Sequence, residues 1–127
     1  MNQRNGDSGR EIWFLNRNLV VVRPRQPFID WVREVDPGDP VGADFVREQV
    51  SAFLIDQFEV PGEAEKWVED QCDFFFRFMC NEWYTDPALW PTFEGWKKFG
   101  EWFDVEYIEM AWDLIDAPLS SDPPPRS

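Results

Sequence analysis

The chain has no histidine among its 127 residues. That absence removes the commonest general base and the commonest metal ligand together. Neither Ser-His-Asp nor Cys-His catalysis can be assembled from this chain alone. Cysteine is scarce as well, with two residues, too few for the usual closed zinc set. Cys72 and Cys80 fall eight positions apart on one expected helix, about 12 Å along its axis at roughly 1.5 Å per residue. A disulfide does not reach that far, so they read as reduced structural thiols. No apolar run approaches the roughly 18–20 residues of a membrane span. The longest, Leu19-Val20-Val21-Val22, is strand-sized. Residues 1–10 are polar and lack the apolar core of a signal peptide, so a cytoplasmic location is expected. Gly-x-Gly-x-x-Gly, Walker A and Cys-x-x-Cys patterns are missing, and with them the usual nucleotide, phosphate and redox motifs. No cofactor is expected.

Basic residues are the minority charge: 12 against 25 acidic, a net of −13. The imbalance is local. Residues 1–35 hold six Arg against four acids, whereas residues 36–127 carry a net of −15. A body of that sign does not suit nucleic-acid phosphates. It suits a basic protein partner, or simple solubility. Aromatic side chains are plentiful, with eight Trp and twelve Phe. Each buries roughly 150–250 Å², enough for a small chain to build a core. One domain is expected over residues 12–116, between a flexible arm (1–11) and a Pro-rich disordered tail (117–127).

Hydrophobic patterning gives an α+β order: about three strands in a small mixed sheet, with one long and several short helices packed on it. Residues 19–23 are β-branched and stop at Pro24, which reads as an interior strand. Residues 12–15 read as an edge strand or a lead-in. Phe28, Trp31, Val32 and Val35 form a helical stripe after Pro27. A turn at residues 36–40 ends that helix, and a short helix is expected over 43–49. Residues 52–58 read as the second strand. A long helix is expected over 62–82. Placed on a wheel centred on Trp67, it has a wide apolar arc that includes Phe74 and Phe78. Gln71 falls on that arc, and Phe76, Cys80 and Trp83 form a second apolar strip behind it. The strip is either covered by the following segment or is a homodimer contact. Asp86 and Pro87 predict a single capped turn, Thr92 caps another short helix, and Gly100 suits its end. Residues 102–115 fit a strand whose parity flips near Tyr107–Ile108, as at a bulge. A helix fits there too, and the strand is preferred because β-branched and aromatic residues dominate its first half.

Carboxylates are the only abundant catalytic groups. Asp104 and Glu106 share a strand face, and Glu65, Glu69 and Asp73 follow at i, i+4, i+8, a spacing open to a hard cation. A solvated charged face explains both sets, so no catalytic or metal-ligating residue is assigned. The most informative stretch is residues 81–91, with Trp83, Tyr84 and Trp90 close together. Trp and Tyr dominate interface hot spots, and they also seal small cores. As a partner-binding set, these three would be rimmed by Glu82 and Asp86.

Three blocks carry a resemblance. They are Leu15-Asn16-Arg17 running into Val20-Val21-Val22-Arg23-Pro24 and Gln26-Pro27-Phe28-Ile29-Asp30-Trp31; Trp83-Tyr84-Thr85-Asp86 with Leu89-Trp90-Pro91; and Trp102-Phe103-Asp104-Val105-Glu106. Together they resemble a family of short, acidic bacterial proteins that form a domain of unknown function. The resemblance covers the body and neither tail. It implies a bacterial, cytosolic protein with a strand at 103–114, and it names no catalytic residue. The family pattern has a histidine after the last block, where this chain reads Tyr107-Ile108-Glu109, which argues against a metal or acid–base role there. The expectation is a protein–protein interaction module, in one version an immunity or antitoxin-like inhibitor of a basic enzyme. The alternative is a carboxylate-based enzyme or divalent-cation binder.

Overall fold

The computed structural model describes residues 4–5, 12–38, 45–60 and 62–120. Six strands and four α-helices follow along these residues. They are β1 (Arg4–Asn5), β2 (Ile12–Phe14), β3 (Asn18–Pro24), α1 (Gln26–Val35), β4 (Ser51–Ile55), α2 (Glu63–Asp70), α3 (Cys72–Asn81), α4 (Trp96–Trp102), β5 (Phe103–Ile108) and β6 (Trp112–Asp113). A 3-10 turn, Pro87–Leu89, sits between α3 and α4. The class is α+β.

The sheet is antiparallel throughout, not mixed. The main sheet has the order β4-β3-β5 and a smaller one the order β1-β2-β6. A strand–helix–strand order implies a parallel pair only when the chain returns to the strand's starting end. Here β4 starts with Ser51 opposite Val22, near the end where β3 finishes. β1 lies within the expected N-terminal arm, whose other residues are outside those described. Residues 117–120 carry no helix or strand, and 121–127 are outside the described set. Of the short helix expected at 43–49, Phe45 and Val46 are helical, with Val46 buried, residues 47–48 form a turn, and 43–44 lie outside the described residues.

β3 is central because its inward residues have nothing polar to satisfy. Val20 and Val22 are fully buried, facing Phe53, Val105 and Tyr107 on the neighbouring strands. Helices pack on this face. Phe28 of α1 meets Phe103 at 4.9 Å between ring centroids, and Phe75 of α3 meets Phe53 at 4.9 Å. On the opposite parity Ala52, Leu54, Asp104 and Glu106 of the edge strands are exposed, while Val21 of the central strand is buried between them.

The parity flip at 102–115 is a change of sheet. β5 pairs with β3 in a register in which Leu19 faces Ile108, whereas Trp112 of β6 pairs with Phe14 of β2. The helical alternative is thereby excluded. Leu15 N donates to Ala111 O at 2.9 Å, so the two-stranded ribbon continues through the bend. From Leu15/Ala111 to Leu19/Ile108, one arm spends four steps and the other three. The extra residue of the bulge therefore lies in the 16–18 arm, not at 107–108. Asn18 is buried at this point. Its Nδ2 donates to Glu109 O at 2.9 Å and its Oδ1 accepts from Phe58 N at 2.8 Å. One amide thus replaces the ladder bonds that a bulge removes.

The expected long helix breaks at Gln71, which is exposed, with φ −103° and ψ 10°. A polar amide on the apolar arc is accommodated by ending one helix and starting another. The two apolar strips are one arc. Val68, Cys72, Phe75, Phe76, Met79 and Cys80 are all buried, and stepping about 100° per residue places them within roughly 140° of one another. The arc centres near Cys72 and Met79, and Trp67, Phe78 and Phe74 fall outside it: the first two are half-buried and Phe74 is exposed. Phe76 and Cys80 therefore do not form a dimer strip. The following segment folds over them, with Phe93 and Trp102 packing on Phe76 at 5.3 and 5.9 Å. Trp83, the third member, is half-buried.

α4 starts later than the Thr92 cap predicts. Gly95, at φ +95°, is its N-cap, and Gly100 lies inside the helix. The Thr92 carbonyl instead accepts from Lys98 Nζ, and the ammonium sits 5.1 Å from the Trp102 ring centroid. That cation–π contact fixes the stem of Lys98 across the aromatic seam.

Candidate functional site

The chain from Glu82 to Pro91 closes the open side between α1 and α3. α3 ends as the N–H groups of Trp83 and Tyr84 bond to Cys80 O at 3.1 and 3.0 Å. The chain then turns, and Asp86 does what its position before Pro87 predicts: its Oδ1 accepts from Ala88 N at 3.0 Å. The turn is held further by Leu89 N to Asp86 O and Trp90 N to Pro87 O.

Three polar ring tips tie this segment to its neighbours. The Tyr84 hydroxyl donates to Val32 O at 2.6 Å, Trp90 Nε1 donates to Tyr84 O at 2.6 Å, and Trp31 Nε1 donates to Leu89 O at 3.0 Å. Trp31 and Tyr84 also meet edge to face at 5.3 Å and 88°, a favoured ring geometry. Spacing alone assigns Trp31 to the α1 stripe. Its role as the anchor of this loop is not legible there, because a Trp at a core spacing looks the same whichever carbonyl its N–H reaches.

Trp83, Tyr84 and Trp90 are half-buried against the core, while Glu82 and Asp86 are exposed. The structure brings the five residues into one short segment. Leu89 adds an exposed apolar side chain to the same turn. The arrangement offers fixed aromatic area beside carboxylates.

Among the described residues, no group of three or more Cys, Asp or Glu is placed to hold a metal ion. Glu65, Glu69 and Asp73 lie on the exposed side of α2 and α3, where Lys66 pairs with Asp70 at 3.0 Å and Arg77 with Asp73 at 3.3 Å. Glu106 pairs with Arg23 across the sheet at 2.6 Å. A hollow of about 420 Å³, including the solvent at its mouth, lies at the bend end of the main sheet, lined in part by Asn18, Phe58, Glu65, Tyr107 and Glu109. Burial pushes the Tyr107 phenol up to about 12, and the charges of Glu65 and Glu69 push in the same direction. The phenol therefore stays protonated at neutral pH.

Both cysteines are free and buried. Burial raises the Cys80 thiol to about 12, against a smaller opposing pull from Lys98, and burial raises Cys72 as well. Neither is a reactive thiolate at neutral pH. No helix among the described residues is long and apolar enough to cross a membrane. No protein-family model, curated protein or solved structure matches this chain.

Proposed function

We propose that this chain is a cytoplasmic protein-binding module that docks a basic partner protein through Trp83, Tyr84 and Trp90, with Glu82 and Asp86 at the rim. The observation that carries the reading is the fixing of these rings before any partner arrives. Two of the three ring tips are bonded to backbone carbonyls, so little side-chain entropy remains to be lost on docking. Exposed acids flank the rings on a chain of net −13, which favours fast encounter with a positive surface. Inhibition of a basic enzyme, in the manner of an immunity protein or antitoxin, is the specific form of this reading.

The test is affinity capture from the source cell at low and moderate salt, using wild type, Glu82→Lys and Trp83→Ala. A basic protein retained at low salt, released as salt rises and lost from both variants is the expected result. A partner held equally by all three would place the interface elsewhere. The alternative, a carboxylate enzyme or cation binder, would have its best location in the Glu65–Tyr107–Glu109 hollow. Two carboxylates supply fewer oxygens than a hard cation's roughly 6–8 ligands, and the protein-binding reading stands ahead of it.

A further inference from the structure

The main sheet has two edge strands, and they are protected differently. β5 carries Asp104 and Glu106 on its exposed parity, and Arg23 crosses to Glu106. Charges at a sheet edge discourage pairing with another chain. β4 reads Ser51-Ala52-Phe53-Leu54-Ile55 and has no charged residue and no proline. Among the described residues, no strand pairs with its outer side. Leu54 is 49% exposed and Phe74, on the helix side of the same flank, is 50% exposed. Phe74, Phe78, Phe53 and Phe75 form a continuous run of ring contacts behind the strand, at 4.9 to 6.1 Å between centroids. A chain with a large excess of acids thus leaves one uncharged edge, backed by aromatic rings.

We infer that β4 is the contact of a two-fold homodimer, in which β4 pairs antiparallel with β4 of a second copy and joins two three-stranded sheets into one of six. The proposal does not rest on the partner reading above, and it moves the dimer contact away from Phe76 and Cys80, which are interior. Symmetry fixes much of the geometry. A two-fold axis perpendicular to the sheet keeps each side chain on its own face, so some residue must lie opposite its own copy. Centring on Phe53 pairs all five residues: Ser51 faces Ile55, Ala52 faces Leu54 and Phe53 faces Phe53. The helices of both copies then lie on one face, and the Phe74–Phe78 flanks of the two copies come together beneath the new pair. Asp56, the first acid after the strand, falls opposite Val50, so like charges do not meet there. A second copy fits this edge because the two-fold register sets no like charges opposite one another from Val50 to Asp56 and brings the ring run of each copy against that of the other.

Ala52 and Leu54 are both exposed on the open face, so they can be changed without entering the core. They also face one another across the proposed axis. Ala52→Lys with Leu54→Lys sets like charges opposite each other twice. Ala52→Lys with Leu54→Glu sets opposite charges there, with the same Lys at position 52. The experiment is sedimentation of the full chain at about 1 to 100 µM, with circular dichroism and thermal unfolding to establish that each variant is folded. Wild type is expected at twice the 15.1 kDa chain mass. The Lys/Lys variant is expected at the mass of one chain, and the Lys/Glu variant at two again. A monomeric wild type across this range overturns the proposal. So does a dimer that the Lys/Lys variant leaves intact, or a Lys/Glu variant that stays monomeric while folded.

Discussion

Two regions close this molecule in different ways. In the interior, between α1, α3, α4 and β5, the contacts are hydrocarbon. Phe28, Phe76, Phe99 and Phe103 are at most 1% exposed, and their rings meet at 4.9 to 6.1 Å. Along the seams the side chains have polar tips that reach backbone groups of loops or, for Tyr84, a carbonyl in the last turn of α1. Trp31, Tyr84 and Trp90 do this at the 82–91 segment, and Asn18 does it at the sheet bend. The difference follows from what each place can satisfy. Regular elements have already paired their own N–H and C=O groups, so the ring between them needs no donor. Loops leave backbone groups over, and a Trp, Tyr or Asn supplies the missing partner. Trp13 in the smaller sheet marks the limit of the pattern, because its indole nitrogen is buried with no partner among the described residues.

If the interior is held by packing alone, deleting a ring there is the most costly change in the molecule. Phe76→Ala removes the ring that joins Phe93, Trp102 and Phe103, and is expected to cost about 3–5 kcal/mol. That is a large part of the roughly 5–15 kcal/mol available to a domain. Urea unfolding measures it. A loss below about 1 kcal/mol would mean that the interior collapses onto the gap, and the contrast with the seams would weaken.

Alkaline titration separates the regions by a different property. Cys80 lies in the hydrocarbon interior and its thiol is raised from 9.0 to about 12, chiefly by burial. Tyr107 is raised from 10.0 to about 12, first by burial and then by Glu65 and Glu69. Both groups are neutral when protonated, and both folded values exceed the unfolded ones. The unfolded chain therefore holds fewer protons between the two values. The stability they contribute is full below about pH 9 and is lost as pH rises toward 12. A tenfold difference in proton affinity between the folded and unfolded chain is worth roughly 1.4 kcal/mol. Denaturant midpoints from pH 8 upward should fall steeply in wild type and less steeply in Cys80→Ala. Equal slopes would remove Cys80 as a source.

These elements also mark how far the sequence can be read. The central strand, α1, β4 and the Asp86–Pro87 turn are legible because each depends on local periodicity or a cap. The strip of Phe76 and Cys80 looks like surface on a helical wheel centred on Trp67, a half-buried residue whose size draws the arc toward itself. The flip at 107–108 is legible as a change of face. Its cause is not, since pairing partners for β6 lie about a hundred residues away in β2. In the candidate site, the clustering of Trp83, Tyr84 and Trp90 is visible in the spacing. The fixed tips of Tyr84 and Trp90 depend on Val32 and on a loop carbonyl, which no spacing displays.

At the seams, one polar contact holds more than its own pair. Asn18→Ala removes an amide that serves two loops, and it leaves Phe58 N and Glu109 O without that partner. An orphaned buried group costs about 1–3 kcal/mol, and with Phe58 half-buried and Glu109 exposed a loss of about 1–3 kcal/mol is expected in thermal or urea unfolding. Hydrogen exchange at the Phe58 amide should accelerate beyond the change in global stability. Uniform acceleration across β3 and β5 would instead show that Asn18 acts by packing, as the interior does.

The smallest effect tests whether a polar tip adds anything to a ring that already packs. Tyr84→Phe keeps the edge-to-face contact with Trp31 and removes only the hydroxyl that donates to Val32 O. That carbonyl also accepts from Asp36 N at 3.3 Å, at the end of α1, so it is not orphaned by the change. The cost should then be the net value of one hydrogen bond, about 0.5–1.5 kcal/mol, well below that of Phe76→Ala. Because the hydroxyl pins the loop to α1 together with the Trp31 Nε1 bond to Leu89 O, loosening should concentrate in residues 84–90 and appear as faster exchange at the Leu89 and Trp90 amides. If Tyr84→Phe were as costly as a deleted interior ring, the seam would be a cooperative part of the core. If it cost nothing and left those amides protected, the loop would be held by Trp31 and Trp90 alone, and the two regions would differ in composition without differing in how they hold the chain.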